Sequence, residues 1–354
     1  MKNQKGSRRI SWQRVTLSIL CVFLALVLLV MLLGTAYVHH LLNLVTGDGD
    51  DYLNATLSPE ELATATGDPD YDPNNTHPTI DASDVVINTL PSQPVVDQEH
   101  IINIMLIGED RRPGQGRQRS DSMILCSFNT KTNTLTMISF LRDTYIPTIP
   151  GYWADKLNAA YAFGGAKKLD QTLAAYFGVH VDANVAVQFD GFMGIIDMLG
   201  GVDIELTKKE ADHLNSECAK YELPWRVHSG MNHLDGEQAL AYSRIRKIDM
   251  DAKRAERQRK VLTALINAYK SKPVGEMLTL ASDILKTGFI QTDMTSNELM
   301  NYVTTLFPLL STATINSQQI PAEGTYDSVN VGNVTATKVC DFEANRKILQ
   351  KLFQ

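Results

Sequence analysis

The sequence predicts a mixed α/β domain, arranged as a three-layer α/β/α sandwich with a central mixed sheet and preceded by one N-terminal transmembrane helix. Short apolar strand patterns alternate with helical patterns from His100 onward, which is typical of one sheet covered by helices on both faces. An uncharged apolar run at 15–38 accounts for the separate helix. Over 354 residues the chain is 44% hydrophobic and 21% charged, which is ordinary globular composition.

The apolar run reads VTLSILCVFLALVLLVMLLGTAYV and is long enough to cross a bilayer core of about 30 Å. A cleaved signal peptide is the alternative, but its apolar region would span only about 7–15 residues and end at a small-residue cleavage site. Five basic residues precede the run: Lys2, Lys5, Arg8, Arg9 and Arg14. After Arg14, no Lys or Arg occurs until Arg111. Since basic flanks stay inside, we predict a single-pass cell-membrane protein with residues 1–14 cytoplasmic and the rest extracellular.

Residues 39–97 are predicted to form an acidic extracytoplasmic stalk. This stretch contains no Lys or Arg, and six prolines are spread through it: Pro59, Pro69, Pro73, Pro78, Pro91 and Pro94. Such a composition supplies too little apolar surface for a core of its own. A short strand around 84–88 is expected to dock on the domain that follows, and residues 98–354 form that domain.

The elements of the domain are predicted from apolar runs, turn residues and helical periodicity. Strands are predicted at 101–107, 121–129 and 134–141, then a helix at 165–176 stopped by Gly178, a strand at 185–188, a helix at 191–198 and a strand at 202–206. A helix at 236–242, an extended segment at 242–247, helices at 253–270, 276–285 and 296–309, a strand at 315–320 and a helix at 341–353 complete the chain. The turn at 130–133 joins the second and third strands.

The cysteines carry little functional signal. Cys126 falls in an apolar strand pattern, where a small buried hydrophobe is expected. Cys218 and Cys340 could form a disulfide in an oxidising exterior, although their spacing does not show that they do. No Cys or His spacing resembles a zinc site.

The segment 242–262 gathers arginines and lysines in a chain whose net charge is −7. If 242–247 is extended, Arg244 and Arg246 point to the same face. In the helix that follows, Arg254 and Gln258 are four residues apart and continue into the apolar stripe, so they should lie at the mouth of the buried face. Arg259 should point elsewhere, as solubilising surface charge.

Arg257 falls between these two cases, and the inward arginines need partners, since an unpaired buried charge is very costly. One possibility is an internal lattice of salt bridges with Asp249, Asp251 and Glu256. The other is a polyanionic ligand, because guanidinium groups match phosphate oxygens geometrically.

Acidic residues lie at the predicted strand ends, where open α/β sheets bind ligands. Asp110 closes the first strand and Asp121 opens the second, so the two carboxylates could lie side by side. Together with nearby arginines they suggest a Mg²⁺ site completed by phosphate oxygens. Arg142 and Asp143 follow the third strand and point to the same end of the sheet.

Seven ordered segments resemble the LytR-CpsA-Psr (LCP) family of bacterial envelope proteins. They are NIMLIGEDRR, RSDSMIL, SFLRDTYIP, KLNAAYAFGG, FDGFMGIIDMLGGVDIEL, LDGEQALAYSRIRK and DAKRAERQRKVL, and they extend from about Ile101 to the C-terminal part of the chain. One departure is Leu141, where the family typically has Pro before Arg-Asp; a local backbone change is expected there.

The resemblance implies a membrane-anchored phosphotransferase that attaches a polyprenyl-pyrophosphate-linked glycopolymer, of the wall teichoic acid or capsular polysaccharide type, to peptidoglycan. It places the lipid chain in an apolar tunnel and Mg²⁺ (or Mn²⁺) on Asp110 and Asp121. The matching phosphate-binding positions are Arg111, Arg119, Arg142, Arg244, Arg246, Arg254 and Gln258. The residues expected to carry the transfer are Asp121, Arg142, Arg244 and Arg246, with Asp121 also a candidate base. Charge neutralisation by such groups is the main requirement of phosphoryl transfer.

Three other functions use the same residues. A membrane-bound transcriptional attenuator would place the basic segment on nucleic acid, but the predicted orientation puts that segment outside the cytoplasm, so no nucleic-acid partner is expected. A regulatory or scaffold protein would bind polyprenyl phosphate without turnover. A lipid pyrophosphatase would use water in place of the peptidoglycan acceptor.

Overall fold

A computed structural model describes residues 99–109, 117–310, 312–331 and 334–354, together with short pieces at 40, 42–43, 53–54 and 79–80. The predicted transmembrane segment 15–38, the predicted strand at 84–88, and both Asp110 and Arg111 lie outside these residues. Within the described part, no helix combines the length and the apolar character that a membrane crossing requires.

The described elements comprise strands and helices that we number in chain order. The strands are β1 (Thr79–Ile80), β2 (Ile101–Glu109), β3 (Ser120–Asn129), β4 (Thr134–Phe140), β5 (Tyr145–Ile146), β6 (Asp155–Lys156), β7 (Ala183–Gln188), β8 (Val202–Leu206), β9 (Gly230–Leu234), β10 (Ile290–Thr292), β11 (Thr314–Ile320), β12 (Tyr326–Val331) and β13 (Val334–Val339). The helices are α1 (Leu157–Phe177), α2 (Phe189–Leu199), α3 (Lys208–Lys220), α4 (Gly236–Ser243), α5 (Asp251–Lys270), α6 (Val274–Thr287), α7 (Ser296–Leu310) and α8 (Phe342–Leu352).

A six-stranded mixed sheet forms the centre of the fold, in the order β10-β7-β2-β3-β4-β11. β3 runs antiparallel to both of its neighbours, β2 and β4, while β7 pairs parallel with β2 and β11 pairs parallel with β4. The turn between β3 and β4 sets their register, in which Asn129 pairs with Thr134 and Ile124 with Ser139. The sheet is therefore mixed, as the sequence predicts.

Helices cover both faces of this sheet because successive strand residues point to opposite sides. Leu125 belongs to the core formed with α1 and α8, which includes Leu173. Its neighbour Ile124 points the other way, into a cluster that contains Leu262 of α5 and Leu306 of α7. The sheet thus lies between two helical layers.

Glycines define the ends and the break of α1. Gly178 adopts a left-handed conformation (φ 68°, ψ 30°) and its N–H donates to the carbonyl of Ala174, which ends the helix where the sequence predicts. Gly165 has φ 69° inside the helix, and a Cβ there would lie 1.7 Å from the carbonyl oxygen of Leu53. The predicted helix at 165–176 is therefore the second part of a longer, interrupted one.

The prediction of an extended segment at 242–247 is wrong. A capping box of Asp235 and Gln238 starts α4, and the helix continues to Ser243. The N–H of Arg244 still donates to the carbonyl of Leu240 at 3.1 Å, and Arg244 itself is in a helical conformation. Turns follow up to α5, so Arg244 and Arg246 do not share the face of a strand.

The cysteine pair considered from the sequence is not formed. Cys218 is a buried free thiol on α3, whereas Cys340 is an exposed free thiol after β13. The thiol of Cys340 instead donates to Asp327 at 3.2 Å. The described part of the domain is therefore held together without this cross-link.

Two half-buried carboxylates, Asp170 and Asp293, accept hydrogen bonds from one amide on the side of the sheet near β10. The Asn184 amide nitrogen donates to Asp170 at 2.9 Å and to Asp293 at 2.8 Å. Burial raises the pKa of Asp170 from 3.8 to about 7, the hydrogen bond from Asn184 opposes this, and the charge of Asp293 adds to it. The protonated form of Asp170 is consequently favoured by folding.

We expect Asp170→Asn to change how stability depends on pH. The raised pKa of Asp170 contributes stability that is complete below about pH 4, near the unfolded value, and is lost as the pH rises through about 7. Asparagine does not titrate, so the variant should gain up to about 4 kcal/mol over the wild type between pH 4 and pH 8. Urea unfolding of the full chain at several pH values measures this, and parallel profiles for the two proteins would contradict it.

Candidate functional site

Three chain segments meet at one end of the sheet. The antiparallel register that pairs Ile124 with Ser139, continued by three residues, places Asp121 of β3 opposite Arg142 just after β4. The first turns of α5 pack over the same place and bring Arg254 with them. Charged side chains from distant parts of the sequence are therefore placed together by strand pairing and helix packing.

The Asp121 carboxylate lies between two arginines. Arg142 Nη1 donates to Asp121 Oδ1, and Arg254 Nη2 lies 3.2 Å from the same oxygen. Arg254 Nη2 also donates to the backbone carbonyl of Asp121 at 2.6 Å. Arg254 is only 2% exposed, so its charge depends on these partners. The sequence prediction that Arg254 faces inward is confirmed in position.

Asp143 and Asp251 complete the network. Asp143 lies 3.1 Å from Lys156 Nζ, 3.4 Å from Arg246 Nη2 and 3.8 Å from Arg142 Nε. Asp251 lies 3.8 Å from Arg142 Nε and 3.5 Å from Arg254 Nη1. Lys156 and Asp251 were not assigned to the site from the sequence, and Lys156 could have been noticed as the first residue of the quoted segment KLNAAYAFGG.

The surroundings disfavour the charged form of an acid and of a base in this cluster. Burial raises the pKa of Asp251, and the neighbouring Asp143 raises it further. Burial lowers the pKa of Arg254, and the charge of Arg142 acts in the same direction. In the ion pairs between described residues, four cationic side chains share three carboxylates: Arg142, Arg246, Arg254 and Lys156 against Asp121, Asp143 and Asp251. Within that described set, positive charge exceeds negative charge, which favours an anionic ligand.

Arg119 lies close to this cluster through Asn158, but its main partner is a different acid. Its Nη1 and Nη2 donate to the two oxygens of Asp155 at 2.9 and 2.8 Å, and Nη1 lies 3.4 Å from Asn158 Oδ1. This bidentate pair fixes the guanidinium plane. Arg119 is predicted from the sequence to contact phosphate, and that role stays a prediction.

An apolar cavity of about 350 Å³ opens beside the charged cluster. It lies between the sheet and helices α2, α4, α5 and α6, and most of its lining is aliphatic or aromatic, as in Leu106, Ile124, Val187, Phe192, Leu262 and Leu265. The polar residues that line it are Asp121, Ser122, Ser243, Arg244 and Gln258. The guanidinium of Arg244 stacks over the ring of Phe189 at 4.5 Å. The cavity thus joins an apolar interior to charged groups.

Arg257, whose environment the sequence did not decide, is buried and forms ion pairs within the domain. Its Nε donates to Glu210 at 2.7 Å, its Nη1 donates to the carbonyl of Ile245 at 3.0 Å, and its Nη2 pairs with Asp249. Burial opposes ionisation of Glu210, but hydrogen bonds from Thr207 and Arg257 lower its pKa overall.

Glu210 also belongs to the capping box that starts α3, together with Thr207. The sequence Thr-Lys-Lys-Glu carries this signal, but the helix was not predicted from the sequence.

The prediction that Arg259 is solvated surface charge is wrong, because Arg259 is only 9% exposed. Packing against β8 covers the face of α5 that carries it, and the apolar stripe alone did not reveal that neighbour. Arg257 and Arg259 are both buried, yet neither lines the apolar cavity.

The described residues can be tested for the Mg²⁺ ion that the resemblance implies. No group of three or more His, Cys, Asp or Glu side chains among them is arranged to hold a metal ion. Mg²⁺, however, usually takes only one or two protein carboxylates and completes its shell with phosphate oxygens and water. Asp121, at the cavity and beside arginines, is a donor of that type, so the residues fit a Mg²⁺ bound together with a phosphate ligand.

Taken together, the fold and the site define a class of protein: an α/β domain that holds a cluster of buried arginines and carboxylates beside an apolar cavity. A model of the LytR_cpsA_psr family matches residues 69–348. The chain belongs to this family.

Relatives and solved structures agree with this membership. The chain is 33% identical over 205 residues to the polyisoprenyl-teichoic acid–peptidoglycan teichoic acid transferase TagU of Bacillus mycoides (strain KBAB4), in a match that covers 56% of this chain and 64% of that relative. A TagU of Oceanobacillus iheyensis is 34% identical over 261 residues, covering 70% and 74% of the two chains. The structure of TagT bound to LI-WTA has a TM-score of 0.59 and 26% identity, covering 75% of this chain and 95% of that one.

We expect Arg257→Met to destabilise the fold by about 3–5 kcal/mol, because it leaves Glu210 and Asp249 without their shared cation in a buried place. Arg246→Met serves as the matched control, since the Arg246 side chain is 31% exposed and its pair with Asp143 is long. That control should cost about 1 kcal/mol or less. Denaturant midpoints of the full chain measure both, and equal losses would contradict the structural role of Arg257.

Proposed function

We propose that this protein is a phosphotransferase that attaches a polyprenyl-pyrophosphate-linked glycopolymer to peptidoglycan. The observation that carries the proposal is the junction of an apolar cavity with a cluster of arginines at Asp121. An amphiphile with a long apolar chain and an anionic head fits such a junction. The names of the TagU relatives support teichoic acid as the polymer class and peptidoglycan as the acceptor. A capsular polysaccharide is the alternative polymer within this proposal.

The lipid chain would occupy the cavity between the sheet and α5. Leu262 and Leu265 of α5 face Ile124 and Val187 of the sheet across this space, so a polyprenyl chain would exchange water for hydrocarbon along its length. The charged head would remain beside Arg244 and Gln258, two of the polar residues of the lining. This arrangement fixes the reacting phosphates at one place.

The transfer step requires little covalent chemistry from the protein. The acceptor hydroxyl oxygen attacks the phosphorus that carries the glycopolymer, and a new P–O bond forms. The P–O bond to the lipid-bearing phosphate breaks, polyprenyl phosphate leaves with the electron pair, and the hydroxyl proton passes to a base. Arg142, Arg244, Arg246 and Arg254 would stabilise the charge that develops on the phosphate oxygens, and Asp121 is the candidate base.

Mg²⁺ is part of the proposal. Asp121 and Asp110 would hold it, and when bound it would neutralise charge on the two phosphates. Asp121 would keep its contacts to Arg142 and Arg254, so these three side chains orient the phosphates relative to the cavity. The apolar run at 15–38 would anchor the chain in the membrane with the domain outside, next to its lipid substrate.

We expect Arg244→Ala and Asp121→Asn each to lower turnover of a lipid-pyrophosphate-linked glycopolymer by at least about 100-fold. Arg244→Ala removes a cation that would stabilise charge on the phosphates, and Asp121→Asn removes the carboxylate that would hold Mg²⁺ and accept the proton. Lys208→Gln is the matched control: Lys208 is exposed on α3 and pairs only with Asp212 among the described residues. Transfer of radiolabelled polymer to peptidoglycan fragments measures the effect, with and without Mg²⁺.

Unchanged transfer in both site variants would overturn the site assignment. Release of labelled polymer into water without attachment to the acceptor would instead identify a lipid pyrophosphatase. Lipid binding without either product would identify a scaffold.

The cavity gives a second prediction that depends on chain length. Val187→Phe should narrow the space between β7 and α5 and weaken binding of an octaprenyl pyrophosphate, because the lost apolar contact is worth about 0.8 kcal/mol per buried methylene. Geranyl pyrophosphate, with a much shorter chain, should lose far less. Competition binding with the two lipids measures the difference, and equal weakening of both would show that the chain lies elsewhere.

A further inference from the structure

Arg259 is a buried guanidinium without an acidic partner in the described part of the chain. It is 9% exposed, and its Nε and Nη1 are buried with no hydrogen-bond acceptor among the described residues. A buried, unpaired charge normally costs several kcal/mol, so native proteins almost always supply a partner. In the described conformation, no described residue supplies that partner.

The acid nearest in sequence is already engaged. Glu256 precedes Arg259 by three residues on α5, but its Oε2 accepts from Lys253 at 2.9 Å and its Oε1 lies 3.5 Å from Lys260. Burial lowers the pKa of Arg259, and the charge of Glu256 offsets this only in part. Glu256 therefore serves two lysines and leaves the guanidinium of Arg259 incompletely compensated.

Arg259 lines a second cavity, of about 440 Å³, which shares no residue with the apolar one. Two rows of α5 separate the cavities: Gln258 and Leu262 line the first, whereas Arg259 and Thr263 line the second. Asn267 of α5 and Ser317 of β11 contribute amide and hydroxyl groups to the second cavity, as a hydroxyl-rich ligand would require.

Two carboxylates on β8 also line this cavity, and both are exposed. Asp203 pairs with His233 Nδ1 at 2.8 Å and is thereby held by another strand. Glu205 has no ion pair among the described residues, so it is the one internal acid that could compete for Arg259 by moving. The burial of Arg259 beside an open, polar cavity therefore points to an external anion, with Glu205 as the alternative to be tested.

We propose that this cavity is a second anion-binding site, in which Arg259 binds the phosphate or carboxylate of an anionic sugar or polyol. The guanidinium supplies charged donors, and Asn267 and Ser317 face the hydroxyl groups of the same ligand. Both a phosphate-bearing polymer and a carboxylate-bearing acceptor carry this chemistry. Binding here is independent of the transfer reaction proposed above, because none of its residues belongs to the cluster around Asp121.

Arginine side-chain NMR tests the proposal on the full chain. The Arg259 Nε–Hε resonance, assigned by its loss in Arg259→Lys, should shift in a saturable way when sn-glycerol 3-phosphate or N-acetylmuramic acid is added. A response to only the first probe identifies a phosphate ligand, and a response to only the second identifies a carboxylate ligand. A response to neither overturns the proposal.

Matched variants separate this site from the first one. Ser317→Phe fills the cavity while keeping Arg259, and it should weaken the response by at least about tenfold, since it removes the space beside a charge-assisted contact. Lys347→Gln removes one positive charge from the exposed side of α8, away from this cavity, and should leave the response unchanged, which shows that the overall charge of the chain does not control it. An undiminished response in Ser317→Phe would place the probe elsewhere and overturn the proposal.

The internal alternative is tested by stability. If Glu205 turns inward to pair with Arg259 in solution, Glu205→Gln and Arg259→Gln should destabilise the chain to the same extent, and the proposal fails. If an external anion is the partner, Glu205→Gln should leave the denaturant midpoint unchanged. Glycerol 3-phosphate or N-acetylmuramic acid should then raise the midpoint of Glu205→Gln but raise that of Arg259→Gln less.

Discussion

The site depends on one interaction, the carboxylate of Asp121 between Arg142 and Arg254. It ties the start of β3 to the end of β4 and to the first turns of α5. Because α5 also supplies Leu262 and Leu265 to the apolar cavity, this contact fixes the charged cluster and the cavity wall relative to each other. Loss of the acid would remove the shortest described ion pair of each buried arginine and leave the longer contacts to Asp251, and incomplete compensation of a buried charge is costly.

The cationic side chains of α5 lie on different faces of the helix and contact different parts of the structure. Arg254 and Gln258, one turn apart, face the sheet end and the cavity, while Arg257 anchors α3 and the preceding loop through Glu210 and Asp249. Arg259 faces the space under β8. A rotation of 100° per residue is enough to send adjacent cationic side chains into different environments. The basic segment therefore places its arginines in three different environments, those of Arg254, Arg257 and Arg259. Only the first of these adjoins the apolar cavity and the ligand proposed for it.

The strands and most helices could be predicted from apolar runs and glycine stops, because those signals are local. The adjacency of Asp121 and Arg142 was also within reach, since a four-residue turn fixes the register of β3 and β4. The conformation at Arg244 was not, because α4 ends in a turn closed by the Arg244 N–H, which donates to the carbonyls of Leu240 and Ala241, and no glycine or proline in the sequence marks that end. The burial of Arg259 and the partner of Arg257 come from β8 and α3, whose packing no periodicity in α5 reveals.

The balance of charge explains why such a cluster can be stable without ligand and still bind one. Arg142 and Arg254 have already lost their water and are held by Asp121 and Asp251, so a phosphate meets oriented donors without paying again for their desolvation. Burial and the charge of Asp143 raise the pKa of Asp251, so the ionised form of this acid is itself disfavoured beside the other carboxylates. Among the described residues the cluster therefore compensates its arginines incompletely, and the proposed phosphate ligand would supply the remaining negative charge and could be released again.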